Sequence, residues 1–287
     1  MKLEFLSEPL AQVLSPVLVA YSFEDAAASS GTVERLPAEV RGLLEELQTS
    51  RELTGKSFEC TLVHRPAGLS AQKLLVVGAG KKQKFDDAQL RRVAGTAVRH
   101  LRGRGIHNLG WVLEGDGVRL ESVQAVVEGA ILGDYDADRY RTEREAERRI
   151  DCLALATGGS APSAAACAGL ERGRIIAEAQ NFTRDLVNEP SNRMTPTILA
   201  EHAQEMVKRY GLECQVLGPQ EIRDLKLRLG MAVTPTMPQA EETPSQPVEP
   251  DEEPSPEILE APPTPQEPIS DVWGEDPDDF SFAEGVK

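Results

Sequence analysis

The sequence has 287 residues and a formal charge of −16, but that charge is unevenly distributed. Residues 232–287 hold 15 Asp or Glu against a single Lys, together with 12 of the 20 prolines, whereas residues 1–231 carry a net charge of only −2. No stretch approaches the roughly 18 apolar residues of a membrane span, and the N-terminus lacks the apolar core of a secretory signal. The acidic balance disfavours nucleic acid as a partner, because phosphate binding requires local positive charge.

Four cysteines are present without a CxxC pair, which favours reduced thiols over a disulfide framework. Together with the absence of a signal or a span, this predicts a soluble, cytoplasmic chain that does not use a membrane as a partner.

Short apolar runs alternate with helical patterns over the first 157 residues. The runs predict six strands, at Lys2–Leu6, Val17–Tyr21, Phe58–Val63, Lys73–Val77, Leu109–Leu113 and Ile150–Ala156. A 3.6-residue period predicts helices after Pro37, after the Asp86-Asp87 cap and over Val123–Leu132. Residues 1–157 are therefore predicted to form an α/β domain in which helices flank a mixed sheet.

A different pattern follows the loop at Thr157–Pro162. A long helix is predicted over Ala164–Leu186, and a second helix over Pro196–Tyr210, with Thr195 as its N-cap. The alternation in Glu213–Leu217 predicts a strand, and Pro219 begins one more short helix toward Lys226. Residues 158–231 are predicted to be a linker helix and the first elements of a partial second α/β domain.

Residues 232–287 show no apolar periodicity and are predicted to be a disordered acidic, Pro-rich tail, because such a composition cannot bury enough surface to offset the ordering entropy. Near its end, aromatic and aliphatic residues sit among Asp and Glu: Ile269, Val272, Trp273, Phe280 and Phe282. These residues are consistent either with a solvated tail or with a docking motif that folds on a partner.

Three other features could carry chemistry. His64, His100, His107 and His202 share no ligand spacing, which favours surface histidines over a metal site. Gly78-Ala79-Gly80-Lys81 follows a strand and fits a turn out of the sheet better than a phosphate cradle, since the Walker and GxGxxG patterns are incomplete. Gly158-Gly159-Ser160 fits an interdomain hinge better than an anion site at the next helix.

Basic residues cluster between positions 81 and 104. They are Lys81, Lys82, Lys84, Arg91, Arg92, Arg99, Arg102 and Arg104. This pattern is typical of a solvated helix face, and the alternatives are a nucleic-acid contact or an electrostatic attraction for the acidic tail, which salt would screen.

Four stretches together resemble one known family, the leucine (cytosol) aminopeptidases. Lys73–Lys82 is similar to that family's glycine-ended strand, and Asn181–Pro196 resembles the junction between its two domains. Tyr135–Thr142 resembles its Tyr-x-Phe-x-x-Tyr-Lys stretch, with Ala137 in place of the Phe and Arg141 in place of the Lys. The fourth stretch is Glu213–Leu217 followed by Glu221-Ile222. The resemblance covers about residues 1–231.

The resemblance implies a macro-like N-terminal domain and a family of metal-dependent exopeptidases, commonly hexameric, that release N-terminal amino acids from peptides. Two divalent cations such as Zn or Mn would activate a water and polarise the peptide carbonyl. The family's metal ligands, and the Lys and Arg that assist them, lie in its C-terminal domain, beyond the point where the resemblance stops.

The residues after Met231 depart from the family pattern. Residues 232–287 lack the Gly-Lys-Gly and Asn-Thr-Asp-Ala-Glu-Gly-Arg motifs and contain no Arg, Asn or His. No residue of this chain is therefore assigned as catalytic, cofactor-binding or metal-binding, and no cofactor is assigned to it. The sequence predicts a truncated relative that is inactive alone, with a homo-oligomer or a complex with a full-length relative as partners. The alternative is a protein- or nucleotide-binding macro-like module with an acidic-aromatic docking tail.

The truncation has a structural consequence. The helix and strand over 196–217 would lack the sheet on which they normally pack, so Leu199, Met206, Val207 and Val216 are predicted to remain exposed.

Overall fold

A computed structural model describes residues 1–24, 30–115, 118–137 and 149–226. The described residues form one six-stranded sheet in the order β1-β6-β5-β2-β4-β3. Its strands are β1 (Lys2–Leu6), β2 (Leu18–Ser22), β3 (Cys60–His64), β4 (Lys73–Gly78), β5 (Asn108–Val112) and β6 (Cys152–Ala156). Only β3, at one edge, pairs antiparallel, and the other pairings are parallel. The predicted mixed sheet and all six of its strands are thus confirmed.

Six α-helices accompany the sheet in the described residues. They are α1 (Ala38–Thr49), α2 (Asp87–Arg102), α3 (Leu120–Asp134), α4 (Ala164–Asn188), α5 (Pro196–Tyr210) and α6 (Pro219–Asp224). The predicted caps are made, because the side chain of Asp86 accepts the Gln89 amide and that of Thr195 accepts the Ile198 amide. A short 3₁₀ helix at Gly31–Arg35 was not predicted.

Both faces of the sheet are covered, and all five residues of β2 are buried. Val19 and Tyr21 face a core that includes residues of α2 and α3, while Leu18 and Ala20 face a second core beneath α1. Strands buried on both faces explain why the β2 and β4 sequences read as continuous apolar runs.

Helix α4 packs on the rest of the molecule through small residues of its first half. Ala166, Gly169, Gly173 and Ala177 are its buried residues. A Cβ added at Gly169 would lie 2.5 Å from the Leu120 carbonyl oxygen, so the glycine is what allows α4 to approach α3 this closely.

The described chain changes character after Ala177, because no residue between 178 and 226 is buried. Leu199, Met206 and Val216 are exposed, as the sequence predicted, although Val207 is half-buried. The predicted strand at Glu213–Leu217 is wrong, since residues 212–218 have no regular structure. A strand is held by hydrogen bonds to a neighbour, and within the described ranges no strand lies beside this segment.

Some predictions fall outside these residues. The predicted disordered tail, residues 232–287, is not part of the described structure, and the domain boundaries after residues 157 and 231 stay predictions. No helix in the described part of the chain is long and apolar enough to cross a membrane. All four cysteines are free thiols.

Candidate functional site

The carboxyl ends of the parallel strands are the usual ligand site of an open α/β sheet, at the point where the strand order reverses. Here that point lies between β2 and β5, which pair only at Leu18–Gly110 and Val19–Trp111. Beyond Val19, backbone amides of β2 and of the residue after it bond instead to side chains in and just before the 3₁₀ helix Gly31–Arg35. The Tyr21 amide donates to Thr32 Oγ1 at 3.0 Å, and the Phe23 amide donates to Ser30 Oγ at 3.3 Å.

Arg35 binds backbone carbonyl groups at the carboxyl ends of β5 and β6. Its Nη1 donates to the carbonyl oxygens of Leu113 at 2.6 Å and Glu114 at 3.1 Å, and its Nη2 donates to that of Thr157 at 2.7 Å. A Cβ at Gly158 would lie 2.5 Å from Nη2, so the glycine leaves room for the guanidinium. The loop at Gly158-Gly159-Ser160 therefore packs against the Arg35 guanidinium.

Tyr21 fills the remaining space between β2 and β5. Its hydroxyl donates to Glu114 Oε1 at 2.8 Å, and burial, followed by the charge of Glu114, raises the pKa of the phenol. The cavity left beside it measures only about 10 Å³, roughly the space of one water, whereas ligand pockets measure about 300–1,000 Å³. Among the described residues, this crevice has no room for a nucleotide.

The glycine turn after β4 serves packing. The amides of Gly78, Ala79 and Gly80 donate to the carbonyl oxygens of Glu59, Ser22 and Gly55 at 2.8–3.0 Å. A Cβ at Gly78 would lie 1.9 Å from the Lys56 carbonyl oxygen. Because all three amides already donate to backbone carbonyl groups, they cannot cradle a phosphate. The structure therefore fits the interpretation of this segment as a turn out of the sheet.

The four histidines make no common site. His107 Nδ1 lies 2.7 Å from the Arg149 carbonyl oxygen, and His202 Nδ1 lies 4.0 Å from Glu205 Oε2. Burial, and then Arg104, lowers the pKa of His100. Within the described ranges, no three His, Cys, Asp or Glu side chains are grouped so that they could hold a metal ion.

Two of the sequence motifs meet at Tyr135, just after the end of α3. The Tyr135 hydroxyl donates to Asp185 Oδ1 at 3.0 Å and accepts from Asn188 Nδ2 at 3.1 Å. The guanidinium of Arg184 lies over the Tyr135 ring, 5.4 Å from its centroid. Tyr135 therefore ties the end of α4 to the segment that follows α3, which spacing in the sequence alone did not reveal.

Family models match two parts of the chain. Residues 17–144 match the N-terminal domain of the cytosol aminopeptidase family, and residues 181–244 match the catalytic domain of the same family. The two matches follow each other in the order expected of one protein. The first covers most of the sheet and its helices, and the second covers the end of α4 together with α5 and α6.

Similar proteins carry the same description. A probable cytosol aminopeptidase from Solibacter usitatus is 38% identical over 231 residues, covering 80% of this chain and 44% of that protein. One from Acidobacterium capsulatum is 35% identical over 246 residues, covering 82% and 48%. The chain thus spans less than half the length of these relatives.

Solved structures show the same fold. A tomato leucine aminopeptidase mutant aligns with a TM-score of 0.64 at 21% identity, over 79% of this chain and 46% of that one. The bottromycin maturation enzyme BotP in complex with Mn aligns with a TM-score of 0.55 at 25% identity, over 74% and 40%. From the matched domains and their order, we conclude that this chain belongs to the cytosol aminopeptidase family.

Proposed function

We propose that the polypeptide of residues 1–287 does not hydrolyse peptides by itself. Its role would be to dock onto a polypeptide that carries the rest of a cytosol aminopeptidase catalytic domain, and so to take part in the family reaction, the metal-dependent release of N-terminal amino acids. The observation that carries the proposal is that residues 178–226 contain three helical segments and no buried residue.

The residues at hand do not fit a pair of catalytic metal ions. Two-metal sites need ligands fixed at about 3.5–4 Å metal spacing on rigid elements. The described residues offer no group of three candidate ligands, and residues 232–287 add carboxylates within a Pro-rich sequence but no His or Asn and a single Lys. No step of the reaction is therefore assigned to this chain.

Phe182 and Val187 are exposed near the end of α4. Leu199, Met206 and Tyr210 are exposed on α5, seven and four residues apart, so they share one helix face, which we call the α5 surface. Val187 is 77% exposed and Leu199 47% exposed. Exposed apolar patches in soluble proteins commonly mark interaction sites. Because residues 181–244 match the family's catalytic domain, the occupant that fits this surface is the remainder of such a domain.

The first experiment is an activity assay on the purified 287-residue chain. With Mn²⁺ or Zn²⁺ and a leucyl amide as substrate, we expect no hydrolysis above the rate with metal alone. Turnover that follows the protein through a final size-exclusion column would refute the proposal.

The second experiment tests docking. The C-terminal part of the Solibacter usitatus relative, beginning after its matched region, is added as a separate polypeptide, and complex formation is measured by light scattering. We expect a complex, and we expect Leu199→Asp to abolish it because a buried unpaired carboxylate is costly. Leu14→Asp is the matched control, since Leu14 is 84% exposed and lies in the first domain. Self-association without any binding of the added polypeptide would instead identify a second copy as the occupant and contradict the proposal.

A further inference from the structure

A groove runs between α2, α3 and α4 on the outer side of the helix layer. It has a volume of about 370 Å³, and its polar walls are formed mainly by Arg91, Arg92, Arg99 and Arg184. We call it the arginine groove. No Asp or Glu is among the residues that line it, so the groove concentrates positive charge on a chain whose overall charge is strongly negative.

Of the four arginines, only Arg91 has a carboxylate partner in the part of the chain that the structure describes. Arg91 is neutralised by Glu128, with 2.7 Å between Nε and Oε2. Arg184 lies over the Tyr135 ring and donates to the Leu132 carbonyl oxygen and to Asn181 Oδ1. The side chains of Arg92 and Arg99 make no hydrogen bond or ion pair with any described residue. Within the described ranges, three of the groove's four positive charges therefore have no carboxylate beside them.

Glycines form the floor of the groove. A Cβ at Gly133 would lie 2.8 Å from Gly95 Cα, and a Cβ at Gly129 would lie 2.1 Å from the Arg91 carbonyl oxygen. The backbones of α2 and α3 thus touch directly, which brings the α2 arginines toward α3 and leaves no side chain at the three glycine positions, while Thr96 and Leu132 line the groove beside them. Arg92 and Arg99 are seven residues apart on α2 and so lie on the same helix face.

An aromatic ring stands at the edge of the groove. Phe58 lines it, is 39% exposed and has a φ of +69°. That backbone conformation is rare for a bulky side chain and is strained. The Phe58 amide donates to the Gly78 carbonyl oxygen at 2.8 Å, which holds the residue in place. The groove therefore offers one flat apolar wall beside its cations.

We propose that the arginine groove binds a small organic polyphosphate that carries an aromatic group, of the nucleoside di- or triphosphate class. Guanidinium groups bind phosphate oxygens through paired hydrogen bonds, and a polyphosphate places several charges within the reach of three arginines. The volume falls within the range of small-ligand pockets, about 300–1,000 Å³. The site is distinct from the filled crevice between β2 and β5, and it is independent of the proposed docking role.

Calorimetric titration of the full chain with ATP, ADP, tripolyphosphate and adenosine tests the proposal. We expect ATP to bind more tightly than tripolyphosphate because of Phe58, adenosine to bind far more weakly than either, and affinity to fall as salt is raised. Arg92→Ala and Arg99→Ala should each weaken ATP binding by about tenfold, the usual effect of losing one hydrogen bond to a charged group.

Arg172→Ala is the matched control, since Arg172 is an exposed helical arginine outside the groove. It should change the affinity by less than about twofold. Circular dichroism melting curves of the three variants verify that each is folded. An absence of binding at millimolar ATP and tripolyphosphate would overturn the proposal. So would an equal loss of affinity in Arg172→Ala, or displacement of ATP by an equimolar acidic peptide.

Discussion

Helices α2 and α5 have similar N-terminal signals in the sequence, but only α2 is buried. Each begins at a side-chain N-cap, Asp86 for α2 and Thr195 for α5. Helix α2 buries six residues against α3 and the sheet, whereas α5 buries none. Capping and periodicity are thus enough to specify a helix. Burial also requires a partner surface, and the described residues supply one for α2 but not for α5.

Helix α4 contains the same contrast within one element. Its buried residues end at Ala177, and its remaining turns are exposed or half-buried up to Asn188. The helix therefore links a packed region, the described residues up to 177, to an unpacked one, residues 178–226. If stability comes mainly from burial, the two regions should respond differently to the same substitution.

The largest expected effect comes from matched leucine truncations. Leu153 is fully buried in β6, and Leu199 is 47% exposed on α5. Leu153→Ala should lower the free energy of unfolding by about 2–5 kcal/mol, whereas Leu199→Ala should change it by less than about 0.5 kcal/mol. Urea unfolding monitored by far-UV circular dichroism measures both values. Equal losses would break the distinction between the regions.

A smaller effect is expected from adding a methyl group to helical glycines. Gly169→Ala would press a Cβ against the Leu120 carbonyl oxygen, so we expect a loss of about 1–3 kcal/mol from overpacking. Gly42→Ala, in α1, meets no atom within 4 Å and should stabilise the protein by up to about 1 kcal/mol. Thermal unfolding of both variants would show whether the α3–α4 contact belongs to the cooperative core.

The pH dependence of stability should report on the half-buried carboxyl of Asp134, at the end of α3. Burial raises the pKa of this carboxyl above its ordinary value of 3.8, although its Oδ1 accepts the Ile150 amide. A raised pKa in the folded state means that the carboxyl contributes stability below pH 3.8 and loses it as the pH rises through the folded pKa.

Asp134→Asn keeps the acceptor and removes the ionisation. It should therefore be more stable than the parent at pH 7, and the difference should shrink as the pH falls through the folded pKa of Asp134 toward 3.8. Urea titrations at several pH values test this. A difference that grows toward low pH would show that the carboxyl is not destabilised by burial.

The smallest effect concerns thiol chemistry. Burial raises the pKa of Cys60 and of Cys152 to about 11, and the bond from Cys152 Sγ to Glu4 acts in the same direction. Cys167 and Cys214 are exposed. At pH 8 only about one in a thousand Cys60 thiols is ionised. Iodoacetamide should therefore label Cys167 and Cys214 first, as followed by peptide mass spectrometry, and faster labelling of Cys60 would contradict the burial.

Sequence patterns located most elements but missed the contacts of Arg35 at the carboxyl ends of the strands. The strands were predictable because continuous apolar runs mark strands that are buried on both faces. Arg35 was not singled out, since a lone arginine after a buried strand gives no pattern. Its role depends on carbonyl groups at positions 113, 114 and 157, which only the fold brings together. The glycine turn after β4 was correctly interpreted because its phosphate motifs were incomplete.

The sequence by itself determined the six strands of the sheet, the caps at Asp86 and Thr195, the α-helices and the family, because those follow from local periodicity and from motifs that lie close together in the chain. Tertiary structure alone decided that the crevice between β2 and β5 is filled, that the segment at Glu213–Leu217 has no strand to pair with, and that four arginines from two helices line one groove. The physical reason is that space, pairing and summed charge are properties of residues brought together from distant positions, and local sequence does not encode which residues those will be.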